Sequence, residues 1–192
     1  MADEAKIEQL VKSWLSYDKF PNSRKEIETL WEQKNLKELQ SRLAVRIDFG
    51  TAGLRAKMAA GFACMNELII VQTTQGLCAY MEEVDASLKQ KGVVIGYDGR
   101  YNSKTFAELT AAVFLSRGFK VILFPSMCPT PFVVRCSFLQ KFYKLFFSML
   151  IAIRSTSPWL GSWYYGYCFP QPKARQWLQA LLEQWLPNYF TN

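Results

Sequence analysis

Apolar positions recur along the chain at helical spacing, then in alternation, then in unbroken runs. From Glu4 to Tyr17, Ile7, Leu10, Val11, Trp14 and Leu15 fall on one helical face, which predicts an amphipathic helix. Ser23-Arg24-Lys25-Glu26 has the form of a capping box, and Ile27, Leu30 and Trp31 continue the stripe behind it. Leu36, Leu39 and Leu43 predict a short third helix, so residues 1–44 read as a helical arm. The period then shortens. Val45, Ile47 and Phe49 alternate with Arg46 and Asp48, as in a half-buried strand. Lys57 to Phe62 turns the chain back. Asn66 is placed to cap a long helix to about Val84. Its inward positions are Ile69, Ile70, Thr73, Leu77, Tyr80 and Met81; Gln72, Thr74 and Gln75 fall to its surface or to contacts with another helix. Gly92 to Tyr97 contains the β-branched run Val93-Val94-Ile95, expected of a parallel strand buried on both faces. Ser103 opens a helix with Phe106, Leu109, Val113 and Phe114 inward, Gly118 closes it, and Val121 to Phe124 reads as another buried strand. Strand, helix and strand make a βαβ unit. The pattern predicts an α/β fold, a mixed sheet flanked by helices and preceded by the helical arm.

The regular pattern ends at Pro129-Thr130-Pro131-Phe132. Phe142 to Ile153 is apolar apart from Lys144 and Ser148, too short to span a bilayer and without a readable strand pattern. Trp163, Tyr164, Tyr165 and Tyr167 crowd one short stretch, and Lys173 to Leu186 has the spacing of a short helix. Charge changes too. Residues 1–108 hold 15 acids and 15 bases; residues 109–192 hold 8 bases and only Glu183 as an acid, which carries the whole net charge of +7. Of 29 aromatic residues, 15 lie beyond residue 132, so the chain contains two compositional regimes. The organisation that follows is an arm over 1–44, an α/β domain over 45–132 and a basic, aromatic tail over 133–192.

Composition also narrows the chemistry. There is no histidine, which excludes histidine catalysis and the common Cys/His zinc sites. The five cysteines form no Cys-x-x-Cys pair, and the polar start of the chain does not resemble a secretory or transit peptide, so a reducing cytoplasm is the expected compartment.

The candidate chemistry begins at Asp48-Phe49-Gly50-Thr51-Ala52-Gly53-Leu54-Arg55-Ala56. Gly50 and Gly53 let the backbone approach a ligand closely. Thr51 offers a hydroxyl and an amide, and Arg55 offers a planar fork suited to phosphate oxygens. Such a turn can present several N–H groups to an anion. It can equally be a tight turn with a solvated arginine. Asp98-Gly99-Arg100 follows the buried strand, at the end where open α/β sheets bind ligands. There Asp98 can orient Arg100 by a charge-assisted hydrogen bond, or the two can form a surface ion pair worth at most about 1 kcal/mol.

Asp48 to Ala56 resembles the first-domain signature of the α-D-phosphohexomutases. Met65-Asn66-Glu67-Leu68-Ile69-Ile70-Val71-Gln72-Thr73-Thr74-Gln75-Gly76 is similar to the phosphoglucomutase/phosphopentomutase subgroup, which includes glucose-1,6-bisphosphate synthase. The resemblance covers Leu10 to Phe132. It implies the first domain of that fold, with Thr51, Gly53, Arg55, Asp98 and Arg100 as phosphate- or substrate-binding positions. It also implies an intramolecular phosphotransferase of carbohydrate metabolism, with a phosphoserine, magnesium, and sugar phosphates or glucose 1,6-bisphosphate as partners.

The family's T-A-S-H-N-P serine loop, its D-G-D-x-D-R metal loop, its G-E-x-S-G sugar loop and its distal phosphate loop are all absent. The serine belongs near Ile151. The nearest substitute is Ser155-Thr156-Ser157-Pro158, which keeps only S-x-x-P; it makes Ser155 a weak candidate carrier, and a polar turn after an apolar run is the simpler account. No acid lies between Glu108 and Glu183, so the family's magnesium ligands are missing. A truncated variant without mutase activity is therefore expected. The other possibility is a non-catalytic fragment that binds phosphate, a full-length relative or a membrane surface. The tail has the composition for stacking on nucleic acid, for a membrane surface or for self-association. Sequence foreign to the family, from splicing, a read-through intron or a frameshift, explains it more simply, and nucleic acid is not an expected partner.

Overall fold

The structure, a computed structural model, describes residues 2–50, 53–54, 56–84, 87–129, 132–133, 146–149 and 166–167. The chain divides into two compact units, residues 1–48 with 56–69, and residues 49–55 with 70–192.

In the first unit, helices α1 (Ala2–Tyr17), α2 (Pro21–Glu32) and α3 (Leu36–Leu43) pack on one another. The predicted apolar faces drive this, because Ile7, Val11, Trp14, Ile27, Leu39 and Leu43 are all buried. The Trp14 indole meets the Phe62 ring edge-on at 4.9 Å, and the Arg46 guanidinium lies 4.8 Å from the centroid of that ring.

The capping box predicted at Ser23–Glu26 does not form. Helix α2 starts three residues earlier, with Phe20 at the N-cap and Pro21 first, whose missing N–H costs nothing at a helix start. Asp18 organises the turn instead. It is fully buried, its Oδ1 accepts the Phe20 N–H at 3.0 Å, and its Oδ2 accepts the Ser23 hydroxyl at 2.5 Å. Glu26 is thereby left for a longer-range role. Its Oε1 accepts from Arg42 Nη1 at 2.5 Å and its Oε2 accepts the Ala60 N–H at 3.0 Å. Arg42 Nε also donates to Glu38 Oε1 at 2.8 Å. Burial pulls the Arg42 pKa down, but hydrogen bonds to Glu26 and Glu38 outweigh it and leave it raised. One guanidinium thus ties α2 to α3, and Glu26 carries the tie on to the loop before the next helix. That loop has no room at Gly61, where φ is +129° and an added Cβ would stand 2.7 Å from both the Cβ and the carbonyl oxygen of Arg42.

The strand predicted over Val45–Phe49 is reduced to its last residue. Val45 is 60% exposed, and the Ile47 N–H donates to the Phe62 carbonyl at 2.9 Å, a single loop contact in place of a ladder. Asn66 behaves as its sequence position suggests. Its Oδ1 accepts the Ile69 N–H at 3.1 Å, capping α4 (Glu67–Val84), while its Nδ2 donates to the carbonyls of Ala59 and Gly61 at 2.9 Å each.

The second unit holds a hairpin and a mixed sheet. In the hairpin β1 (Phe49–Gly50) runs antiparallel to β2 (Gly53–Leu54), with Phe49 opposite Leu54 and Gly50 opposite Gly53. The sheet has the order β4-β3-β5-β6, from β3 (Val93–Tyr97), β4 (Val121–Leu123), β5 (Phe146–Met149) and β6 (Gly166–Tyr167). Strand β3 lies parallel to both β4 and β5, and β6 lies antiparallel to β5, so the predicted α/β class and mixed sheet are both found. Every residue of β3 is buried, as its unbroken apolar run requires. Strand β4, predicted to be buried, is half-buried because it forms an edge. Strand β5 falls within the apolar run Phe142–Ile153, where the pattern predicts no strand.

Helix α6 (Ser103–Ser116) crosses from β3 to β4 and buries Phe106, Ala107, Thr110, Ala111 and Phe114. Gly118, at φ +79°, follows its last turn as predicted. Leu77, Cys78 and Met81 of α4 join the same core, as does Leu88 of the short α5 (Leu88–Lys91). The Thr74 and Thr110 hydroxyls meet at 3.4 Å, so Thr74 is an interhelical contact; Gln72 is buried, not on the helix surface. Burial pushes the Cys78 thiol up to about 12, which leaves it unreactive near neutral pH. Among the described residues no helix is long and apolar enough to cross a membrane.

Two predictions follow from the charged and tight positions. Gly61→Ala forces a side chain onto backbone atoms at positive φ, so urea denaturation is expected to show a loss of about 1–3 kcal/mol. An unchanged midpoint would show that the loop gives way freely. In the second unit, burial raises the Glu82 pKa, but the Lys89 ammonium at 3.0 Å and a hydrogen bond from Arg117 at 2.7 Å outweigh it and hold it below its ordinary 4.5. Its stabilising contribution is then complete above the unfolded pKa and lost as pH falls through the lower folded value. Glu82→Gln is expected to flatten the acid limb of a stability–pH curve below about pH 4.5 while changing its slope little near neutrality.

Candidate functional site

Strand β3 delivers its carboxyl end to a loop of five residues, 98–102, before α6 begins. The loop folds on itself around Asp98. Arg100 Nε donates to Asp98 Oδ2 at 2.6 Å, and the Arg100 backbone N–H donates to Asp98 Oδ1 at 3.2 Å. Both carboxylate oxygens are therefore engaged with one arginine. The two side chains are 22% and 21% exposed, so the pair is shielded more than a surface bridge yet remains reachable from solvent. Behind it, the Asp98 N–H donates to Ser103 Oγ at 3.2 Å, and the Ser103 N–H donates to the Arg100 carbonyl at 3.2 Å. Asn102 closes the loop in the left-handed region at φ +59°.

A second segment packs against this end of the sheet. The Phe124 N–H donates to the Ile95 carbonyl at 2.9 Å, and the Cys128 N–H donates to the Tyr97 carbonyl at 3.0 Å. The Tyr97 hydroxyl donates to the Pro125 carbonyl at 3.1 Å. The approach is close enough to require glycine at position 96, since a Cβ there would stand 2.5 Å from Val133 Cγ2 and 2.7 Å from Cys128 Sγ. On the other side of β3, Tyr97 is in register with Met149, so β3 and β5 end together. Helix α6 leads from β3 toward β4, whereas β6 lies beyond β5. The ends of β3 and β5 thus form a topological switch point, where open parallel sheets bind ligands.

Residues 46–149 match the family model for the α/β/α domain I of phosphoglucomutase/phosphomannomutase, more than half of the chain. The chain belongs to that family. It is 42% identical over 139 residues to a human protein named phosphopentomutase, covering 69% of this chain and 23% of the relative. It is 41% identical over 139 residues to a mouse glucose 1,6-bisphosphate synthase, 69% of this chain and 22% of the relative. A probable phosphoribomutase of Schizosaccharomyces pombe is 42% identical over 127 residues, 66% of this chain and 22% of the relative. The chain therefore spans less than a quarter of the length of these relatives. No solved structure matches at comparable significance. The family match runs past residue 132, where composition changes, and takes in β5.

Within this phosphohexomutase domain, the structure brings Asp98 and Arg100 together as predicted and sets Gly53 opposite Gly50 in the hairpin. Thr51, Arg55 and Ser155 lie outside the described residues. Among the described residues, a magnesium ion finds no fitting set of donors. Asp98, the acid at the carboxyl end of β3, gives both oxygens to Arg100, and no group of three or more acids and cysteines stands together among the described residues. Ser103 and Asn102 were not picked out by sequence as parts of the loop. Their signal was present in Tyr101-Asn102-Ser103, since asparagine tolerates the left-handed region and serine accepts from nearby backbone. Strand β5 was legible only as an apolar, aromatic run.

The close packing on β3 can be checked directly. Gly96→Ala is expected to cost about 1–3 kcal/mol in urea denaturation. It is also expected to speed modification of Cys128 by a thiol reagent, because the segment over the strand must lift. Unchanged stability with unchanged Cys128 reactivity would contradict the packing.

Proposed function

We propose that this chain is the phosphate-recognising first domain of a sugar-phosphate mutase, able to bind phosphate oxygens but unable to turn over substrate alone. The observation that carries the reading is the Asp98–Arg100 pair at the switch point of the sheet. A guanidinium presents N–H groups in a fixed plane, suited to two oxygens of a phosphate at once. Asp98 fixes that plane through Nε, so the fork is set before a ligand arrives. Thr51, Gly53 and Arg55, by resemblance to the family, add a second set of donors. The ligand class is a sugar monophosphate or bisphosphate, in keeping with the pentose and glucose phosphates in the relatives' names.

The chemistry implied by the family is intramolecular phosphoryl transfer. A phosphoserine donates to the sugar phosphate, and the bisphosphate reorients to return its other phosphate. This chain has no histidine and so no T-A-S-H-N-P loop, and no acid lies between Glu108 and Glu183 to hold a metal beside a carrier serine. Residues after Met149, where that loop belongs, carry none of the family's motifs. The domain keeps phosphate recognition and lacks the carrier.

Calorimetric titration with glucose 1,6-bisphosphate is expected to show weak binding, and Arg100→Gln is expected to weaken it about tenfold or more, the loss of one charge-assisted hydrogen bond. Equal affinity in both proteins would remove Arg100 from the site. Magnesium-dependent conversion of glucose 1-phosphate or ribose 1-phosphate by the pure chain, or a phosphate gained in the intact mass and mapped to Ser155 or Ser157, would overturn the absence of turnover.

A further inference from the structure

We infer that Ser103 is a positioning residue for Arg100, holding the arginine fork from the rigid start of α6. The inference rests on the reading of Arg100 as a phosphate contact. The Asp98 carboxylate can aim Arg100 only if Asp98 itself is fixed, and Asp98 lies just past the last residue of β3, beyond the ladder. Its backbone N–H goes to Ser103 Oγ at 3.2 Å. Ser103 is fully buried and is the first residue of a helix whose Phe106, Ala107, Thr110 and Ala111 are set in the core. The same residue reaches the arginine a second way, its own N–H donating to the Arg100 carbonyl at 3.2 Å. One side chain and its backbone thus close both ends of the Asp98–Arg100 segment.

The start of α6 is arranged for the loop more than for the helix. Asn102 is of a type that caps helices well, yet it makes no side-chain cap and sits at φ +59°. The Ser103 hydroxyl accepts from the loop behind it, the Asp98 N–H. An alanine at 103 would leave that N–H without its acceptor and free the loop to rotate. The line of transmission runs from core helix to Ser103, to the Asp98 backbone, to the Asp98 carboxylate, to Arg100 Nε.

The test is hydrogen exchange of the Arg100 Nε–H by nitrogen-15 NMR on the whole chain, with Arg100→Lys to assign the signal. In the wild type the signal is expected to be protected by Asp98. In Ser103→Ala it is expected to exchange about tenfold faster, as when a hydrogen-bonded partner is released. Ser103→Thr, which keeps the hydroxyl, is expected to restore protection. Affinity for inorganic phosphate is expected to fall in Ser103→Ala and not to fall further when Ser103→Ala is added to Arg100→Gln. A purely structural serine would lower the melting temperature and leave the Nε–H signal protected, and that result overturns the inference. So does an Nε–H that exchanges at the solvent rate in the wild type. The exchange readout needs no ligand. A chain that binds no phosphate sinks the phosphate reading and leaves the positioning test to be decided on its own.

Discussion

Burial of β3 on both faces is the constraint on which the second unit depends. Five consecutive residues without an exposed position can exist only in the middle of a sheet, covered above and below. That requirement places β4 on one side and β5 on the other, and it brings α6 onto the core through Phe106 and Phe114. Because both neighbours run parallel to β3, all three strands end on the same side. The polar loop that follows β3 then emerges where the chain can meet solvent, with an aspartate and an arginine as its first charged residues. A hydrophobic demand in the strand fixes where the polar chemistry appears.

The electrostatics divide by role. The Arg42 and Glu82 clusters join elements that are distant in sequence, and their pKa directions follow from partners that outweigh the cost of partial burial. They are fastenings. The Asp98–Arg100 pair spans only two positions, and its geometry acts first on the direction of one guanidinium.

Much of this was legible in the sequence. The helical faces of α1, α3, α4 and α6, the Asn66 cap, the buried Val93-Val94-Ile95 run and the Asp98–Arg100 pairing all follow from periodicity and residue type, which act locally. The failures share one cause. Ser23 loses its role as a cap because Asp18, buried in the turn before it, takes the hydroxyl, and Glu26 is drawn off by Arg42, sixteen residues away. Val45 and Ile47 alternate like a strand but pair with no strand among the described residues, and the Ile47 N–H goes to the Phe62 carbonyl of a loop. Ser103 looked like an ordinary helix start until Asp98 was seen to donate to it. In each case a partner outside the helix or strand itself claimed a group that periodicity and capping rules had assigned elsewhere.

The parallel pairing of β3 with β5 has a consequence for the order of assembly. Strand β3, α6 and β4 form a local unit within residues 93–123, whereas β5 leaves the ribosome only after residue 149 has been made. During synthesis, one side of the fully buried strand β3 waits with its N–H and C=O groups unpaired. Such an open edge can recruit a strand from another molecule before its own arrives. The nascent chain is thus most vulnerable to intermolecular pairing between completion of β4 and arrival of β5, a window set by topology and translation speed.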